Sequence, residues 1–255
     1  MTQIDSVRTL LRILDTVCPE AELFRGQARD WPLLPGIGRY PQVVDGYDNW
    51  GGLHEHIIER FLRLGRPFFS EYPRNDSEAW VLAQHHGLPT RLLDATSNPL
   101  KALFFAVNNP ADDSSDGVLW AFSYDSWRED LDATTRYSWD TELIPFLPPQ
   151  IPNPRLMAQE GAFLSYPLPN NCDPLIPVDG LAKNELRLFK LVVPAAAKRN
   201  MRRELAVLGV QYRLLFPDLD GIARNIKLTE LEEHQPLQPI SGGQPYRLNN
   251  HTDEP

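Results

Sequence analysis

The chain has 255 residues, with 25 Lys and Arg against 34 Asp and Glu, for a formal charge of −9. At 42% apolar and 23% charged residues it has the composition of a folded domain with a substantial core, not of a disordered chain. The acidic balance argues against a protein that coats nucleic acid nonspecifically, and the longest apolar runs, such as 191–197, are far too short to cross a membrane.

Apolar residues at Ile4, Val7, Leu10, Leu11, Leu14 and Val17 predict a first helix over 4–17, capped by Asp5 or Ser6. A short strand is expected over 22–26. Helices follow over 53–69 and 76–86, the second capped by Asp76 or Ser77 and stopped by Gly87. Residues 90–93 read as a strand. Pro99, at the tolerated first position, opens a helix over 99–107 that is apolar on nearly every face and so should be buried. Strands are expected over 117–124, 161–166 and 186–193. Two last helices are expected over 195–208, ended by Gly209, and over 218–228, capped by Asp218. Short strands mixed with helices, without regular alternation, predict a single α+β domain.

Proline is unusually frequent: there are 24, about twice the usual share of roughly 5%. They gather over 31–41, 145–154 and 167–177, where interspersed aromatic and aliphatic residues predict ordered connections. Residues 234–255 read as a flexible polar tail, which leaves 1–233 as the domain. Residues 1–5 carry no basic patch leading into an apolar stretch, so no signal peptide is expected. Cys18 and Cys172 form no CxxC pair, which argues against a disulfide framework or a cysteine zinc site and fits a reducing, cytoplasmic setting.

Four stretches carry candidate chemistry. In the first, Arg25 on a short strand is followed by Gly26, a pairing that lets backbone approach a ligand while a guanidinium grips phosphate; a buried ion pair beside a turn is the plainer use. The second runs from Gln84 to Pro99 and holds His85, His86, Arg91, Asp94, Thr96 and Ser97. Thr96 and Ser97 precede a helix, where N–H groups favour anions, but capping is their commonest role there. Arg91 is expected to pair with Asp94 across the turn. His85 and His86 are adjacent and should diverge on a helix; no further metal ligands are announced. The third runs from Arg155 to Phe163, with Gln159 and Glu160 just before a strand. The fourth is Lys198, Arg199, Arg202 and Arg203, i,i+4 neighbours that predict a solvated basic face or a phosphate-contacting patch.

Together these blocks resemble the FRG domain family, named for a Phe-Arg-Gly tripeptide that is Phe24-Arg25-Gly26 here. The resemblance continues through Leu34-Pro35 and Arg39, the block 84–99, Arg155 with 159–163, and 215–223. It departs at His86 and Ala95, where the family often carries aromatics. The blocks also look, more distantly, like the three spaced elements of an ADP-ribosyltransferase of the arginine–serine–glutamate type. The adjacent Gln159-Glu160 replaces the usual Glu/Gln-x-Glu pair. This likeness implies an ADP-ribosyltransferase-like core with NAD as co-substrate and no metal. It implies Arg25, Gly26, His85, Arg91, Thr96 and Ser97 around the dinucleotide. Glu160, Gln159 and Arg25 are its implied catalytic groups, the carboxylate steadying the cation that forms as nicotinamide leaves. The acceptor is expected to be a macromolecule, protein or DNA or RNA, and the setting a prokaryotic toxin or antiphage effector. Two other classes compete: a non-enzymatic nucleotide- or nucleic-acid-binding module, and a nuclease using His85, His86, Asp94 and Glu160.

Overall fold

The computed structural model describes residues 2–124, 143–146, 153–181 and 186–232. In chain order the elements are β1 (Thr2–Gln3), α1 (Val7–Thr16), β2 (Leu23–Gln27), α2 (Pro41–Val44), α3 (Trp50–Gly65) and α4 (Asp76–His85). Then come β3 (Leu92–Thr96), α5 (Pro99–Val107), β4 (Gly117–Tyr124), β5 (Ile144–Phe146), α6 (Pro154–Ala158) and β6 (Gly161–Ser165). The chain continues through β7 (Leu186–Val193), α7 (Lys198–Val207), α8 (Tyr212–Leu215) and α9 (Leu219–Ile226). The predicted tail, 234–255, lies outside the described residues.

Among the described residues seven strands form one mixed sheet in the order β1-β7-β4-β2-β3-β6-β5. β1 runs parallel to β7, and every other neighbouring pair is antiparallel. The fold class is therefore α+β, in one domain.

Alternation along the strands divides the core. Phe24, Leu119, Ala121, Leu191 and Val193 pack with α1, α5 and α7 on one face. Leu23, Leu93, Trp120, Phe122 and Leu164 project to the other, covered by Trp50 at the start of α3 and by Leu33, Ile37 and Leu175 from the long connections. Loops carrying this many buried aliphatic side chains are ordered by packing, as the composition of 31–41 and 167–177 predicts. A third cluster joins Ile58 of α3 and Trp80 and Val81 of α4 to Leu92 and Phe163.

Caps set the helix boundaries. Ser6 caps α1, its Oγ accepting from the Thr9 N–H at 3.2 Å, and Glu204 reaches over from α7 to accept from the Val7 N–H at 2.7 Å. α3 starts three residues before its predicted start because Asn49 accepts from the Gly52 N–H at 2.9 Å. Asn75, not Asp76 or Ser77, caps α4 through the Glu78 N–H at 2.9 Å. Asn98 caps α5, and Asp218 caps α9 as predicted.

The basic run on α7 overturns its expected exposure. Lys198 is fully buried, and its Nζ donates to the carbonyls of Ala28 at 2.6 Å and Asp112 at 2.8 Å. Arg202, 7% exposed, grips the Asp113 carboxylate with both terminal nitrogens, at 2.7 and 2.6 Å, and donates to the Val107 carbonyl. The carbonyls of Ala28, Val107 and Asp112 and the Asp113 carboxylate draw these two cations inward. Half of the predicted outer face is a clamp on the α5–β4 connection.

One feature of the sheet positions the site. β2 is paired with β4 along its whole length, and β3 with β6 along its whole length. Between β2 and β3 the register is the single pair Phe24–Thr96. Beyond that rung the two strands part.

Candidate functional site

Arg25 sits where the ladder opens. Its Nη1 donates to the Asp94 carbonyl oxygen at 2.5 Å, bridging the parted strands. The same nitrogen lies 3.8 Å from the Asp94 Oδ2, and the Arg25 side chain is 16% exposed. Its Nε is buried with no hydrogen-bond partner. A buried guanidinium nitrogen left unpaired is costly, and an anion could satisfy it. Burial pulls the Arg25 pKa down, the Asp94 carboxylate raises it, and the Arg39 charge lowers it further. Gly26 lets α5 close in: a Cβ there would lie 1.8 Å from the Ala102 carbonyl oxygen.

Around Arg25 lies a hollow of about 340 Å³. Phe24, Phe105, Phe163 and Phe216 supply apolar wall, while Gln84, His85, Asp94, Thr96 and Gln159 supply polar groups. Concave, mostly apolar space with a few convergent polar groups is the usual form of a small-molecule site. Its walls come from stretches far apart in the chain: 24–26, 81–85, 94–96, 105, 153–163 and 216.

Asp94 is the carboxylate of this hollow. It is the one exposed residue of an otherwise buried strand, with its side chain 67% exposed. Gln84 Nε2 donates to its Oδ1 at 2.7 Å. The amide is turned that way because the Thr90 hydroxyl donates to Gln84 Oε1, while accepting from the Leu92 N–H at 3.0 Å. A chain Thr90–Gln84–Asp94 thus pins one carboxylate oxygen. Asp94 pairs with Arg25, not with Arg91 as its place in the sequence predicts.

His85 faces the hollow from the end of α4. Asn153 Oδ1 accepts the Arg155 and Leu156 N–H groups, which turns its Nδ2 toward His85 Nδ1 at 3.1 Å. A neutral His85 therefore carries its proton on Nε2. Partial burial, then the neighbouring His86 and Arg155, lower its pKa. The two histidine rings do not diverge; they lie edge to face with centroids 5.2 Å apart.

Thr96 and Gln159 line the hollow but have internal duties. The Thr96 hydroxyl donates to the Gln159 carbonyl at 2.7 Å and accepts from the Asn98 N–H at 3.0 Å. Gln159 Nε2 donates to the Leu215 carbonyl at 3.1 Å. Arg155 donates to Asp218 Oδ2 at 2.6 Å and lies over the Phe216 ring, tying the start of α9 to the wall.

Arg91, Ser97 and Glu160 are not part of the wall. Arg91 is 5% exposed; its guanidinium lies over Trp80 and its Nε donates to the Tyr166 carbonyl at 3.0 Å. Ser97 is exposed and donates its N–H to the Glu160 carbonyl. The Glu160 carboxylate is held by Lys101 Nζ at 2.8 Å and Asn98 Nδ2 at 3.3 Å. The Lys101 hydrogen bond, against partial desolvation, keeps its pKa below the usual carboxylate value. Glu160 also adopts φ +46°, a left-handed turn that delivers the chain into β6. Among the described residues, no three His, Cys, Asp or Glu side chains gather to hold a metal ion.

Sequence reasoning gave Gln84 no role of its own and assigned Asp94 to the wrong arginine. The signal was present: an acid at the centre of the apolar strand Leu92–Thr96 has no structural reason to face inward.

Residues 20–115 match the family model of the FRG domain, which supports the resemblance drawn from the Phe24-Arg25-Gly26 tripeptide and the block 84–99. The matched segment holds Arg25, Gly26, Gln84, His85, Asp94 and Thr96; the α6–β6 wall lies beyond it. Comparison with curated proteins and with solved structures finds no match.

Proposed function

We propose that this protein is an NAD-dependent ADP-ribosyltransferase whose reaction takes place in the Arg25–Asp94 hollow, with a macromolecule, protein or nucleic acid, as acceptor. The observation that carries the reading is the pairing of a buried, unpartnered Arg25 Nε with an accessible carboxylate in one hollow of about 340 Å³. The distant likeness to ADP-ribosyltransferases points to Glu160 for the acid. The geometry favours Asp94, because Lys101 and Asn98 already hold Glu160 outside the wall.

In this reading the bond between C1′ of the ribose and the nicotinamide nitrogen breaks, and its electron pair leaves with neutral nicotinamide. C1′ becomes cationic, the acceptor's oxygen or nitrogen attacks it, and the acceptor's proton passes to solvent. Asp94 accepts a hydrogen bond from a ribose hydroxyl and stabilises the developing charge. Gln84 holds that carboxylate in place. Arg25 binds phosphate, and the phenylalanine wall keeps water from C1′. The setting under this reading is cytoplasmic, that of a prokaryotic toxin or antiphage effector.

The test is release of free nicotinamide from NAD by the full chain, with and without candidate protein and nucleic-acid acceptors. Asp94→Asn should lower the rate by about 10²–10³ while Glu160→Gln stays near the parent. Release that is equal in Asp94→Asn and the parent refutes the assignment. Lys101's hold on Glu160 favours one second reading, non-enzymatic nucleotide binding. NAD binding without nicotinamide release in any variant would select it.

A further inference from the structure

Past Arg25 the cleft continues. A second hollow of about 350 Å³ shares Arg25, Gly26 and Phe105 with the first, and its far walls bring in Trp31, Arg39 and Arg224. Three guanidinium groups thus line one opening of a chain whose formal charge is −9. The lining carboxylate, Asp112, is occupied: Arg29 Nε donates to it at 2.6 Å and Asn109 Nδ2 at 2.7 Å. Arg39 and Arg224 form no ion pair among the described residues; Arg224 instead lies over the Tyr212 ring, 5.1 Å from its centroid. Trp31 presents an indole that is 46% exposed in the same opening. Two guanidinium groups outside any ion pair among the described residues, with Arg25 beside them and an open aromatic face, have the chemistry of a site for an aromatic base that carries a phosphate.

We propose that this second hollow binds a nucleoside phosphate, its base against Trp31 and its phosphate between Arg39 and Arg224, with Arg25 on the boundary with the first hollow. The site does not depend on the transferase reading. Its ligand has two sources with one chemistry: the adenylate half of a dinucleotide, or a nucleotide of a single-stranded nucleic acid.

The experiment is calorimetric titration of the full chain with ADP, and separately with a 5′-phosphorylated pentanucleotide. Trp31→Ala and Arg39→Glu, both at exposed positions, should each weaken the bound probe by about tenfold or more. Where both variants weaken the probe, ADP that displaces NAD assigns the site to the dinucleotide, and a pentanucleotide that binds beside NAD assigns it to the acceptor strand; either result upholds the proposal. It is overturned if the parent binds neither probe, or if both variants bind as the parent does. The transferase reading fails separately. Probe binding that needs Trp31 and Arg39, in a protein that never releases nicotinamide, sinks that reading and leaves this site standing.

Discussion

Replacing Gly26 by alanine isolates the contact that shapes the cleft. The new Cβ would lie 1.8 Å from the Ala102 carbonyl oxygen, 2.7 Å from the Ala106 nitrogen and 2.9 Å from the Ala102 carbonyl carbon. All three are backbone atoms of α5, so no side chain can swing aside. Ordinary contact begins near 3.4 Å, and α5 must therefore retreat from β2 by more than 1.5 Å. That helix buries Ala102, Leu103, Phe104, Ala106 and Val107, and its retreat opens the core behind them. Overpacking against backbone belongs at the upper end of the usual cost, about 3 kcal/mol. For a chain of this size that is a fall of roughly 6–12 °C in Tm. Phe105 moves with the helix, so both hollows widen and ADP binding weakens as well. Thermal unfolding followed by far-ultraviolet circular dichroism measures the first effect. Gly46→Ala is the control, since a Cβ there meets only the Val43 carbonyl oxygen, at 3.5 Å. If Gly26→Ala melts within about 1 °C of the parent and Gly46→Ala, the close approach of α5 does not govern this region.

Other expectations follow from the same geometry. His54 is 2% exposed and its pKa is lowered to about 3, by burial and then by the Arg91 charge. Between that value and the unfolded value near 6.5 the unfolded chain binds more protons, so stability rises with pH across this window. Acidification from pH 6.5 to 5 should cost about 2 kcal/mol, and His54→Leu should flatten the slope in denaturant titrations; an unchanged slope counts against it. Arg202→Ala leaves Asp113 and the Val107 carbonyl without their donor and should cost about 3 kcal/mol, a loss that a value under 1 kcal/mol would contradict. Glu160→Gly removes a half-exposed ion pair but relieves a left-handed backbone, so its stability should stay within about 1 kcal/mol of the parent.

Elements with strong local signals were legible. The strands Gly117–Tyr124 and Leu186–Val193 and the helix Pro99–Val107 have the bounds that their apolar runs and the Asn98-Pro99 start predict. β1 has two residues, too few for a period, and gains its identity from pairing with β7. β5 and α6 fall in a proline-rich stretch that reads as connection, and α6 exists because Pro154 takes the first helical position behind the Asn153 cap. Periodicity found the cations of α7 but could not show that carbonyls 86 and 170 positions away take Lys198 inward. The site was legible as a set of segments: Arg25, His85, Thr96 and Gln159 do share a wall. The partner of each side chain was not, because Arg25–Asp94 and Lys101–Glu160 join residues about sixty or more positions apart.

The lone Phe24–Thr96 rung makes the molecule two half-sheets, β1-β7-β4-β2 and β3-β6-β5, riveted at one point. Arg25 is a strut across the seam, and it leaves a nitrogen unspent. An anionic guest lodged there acts as a keystone, lending the seam the cross-links its backbone lacks. Occupancy and cohesion are then one quantity, and loading the cleft should be audible throughout the scaffold as slowed amide exchange on both banks.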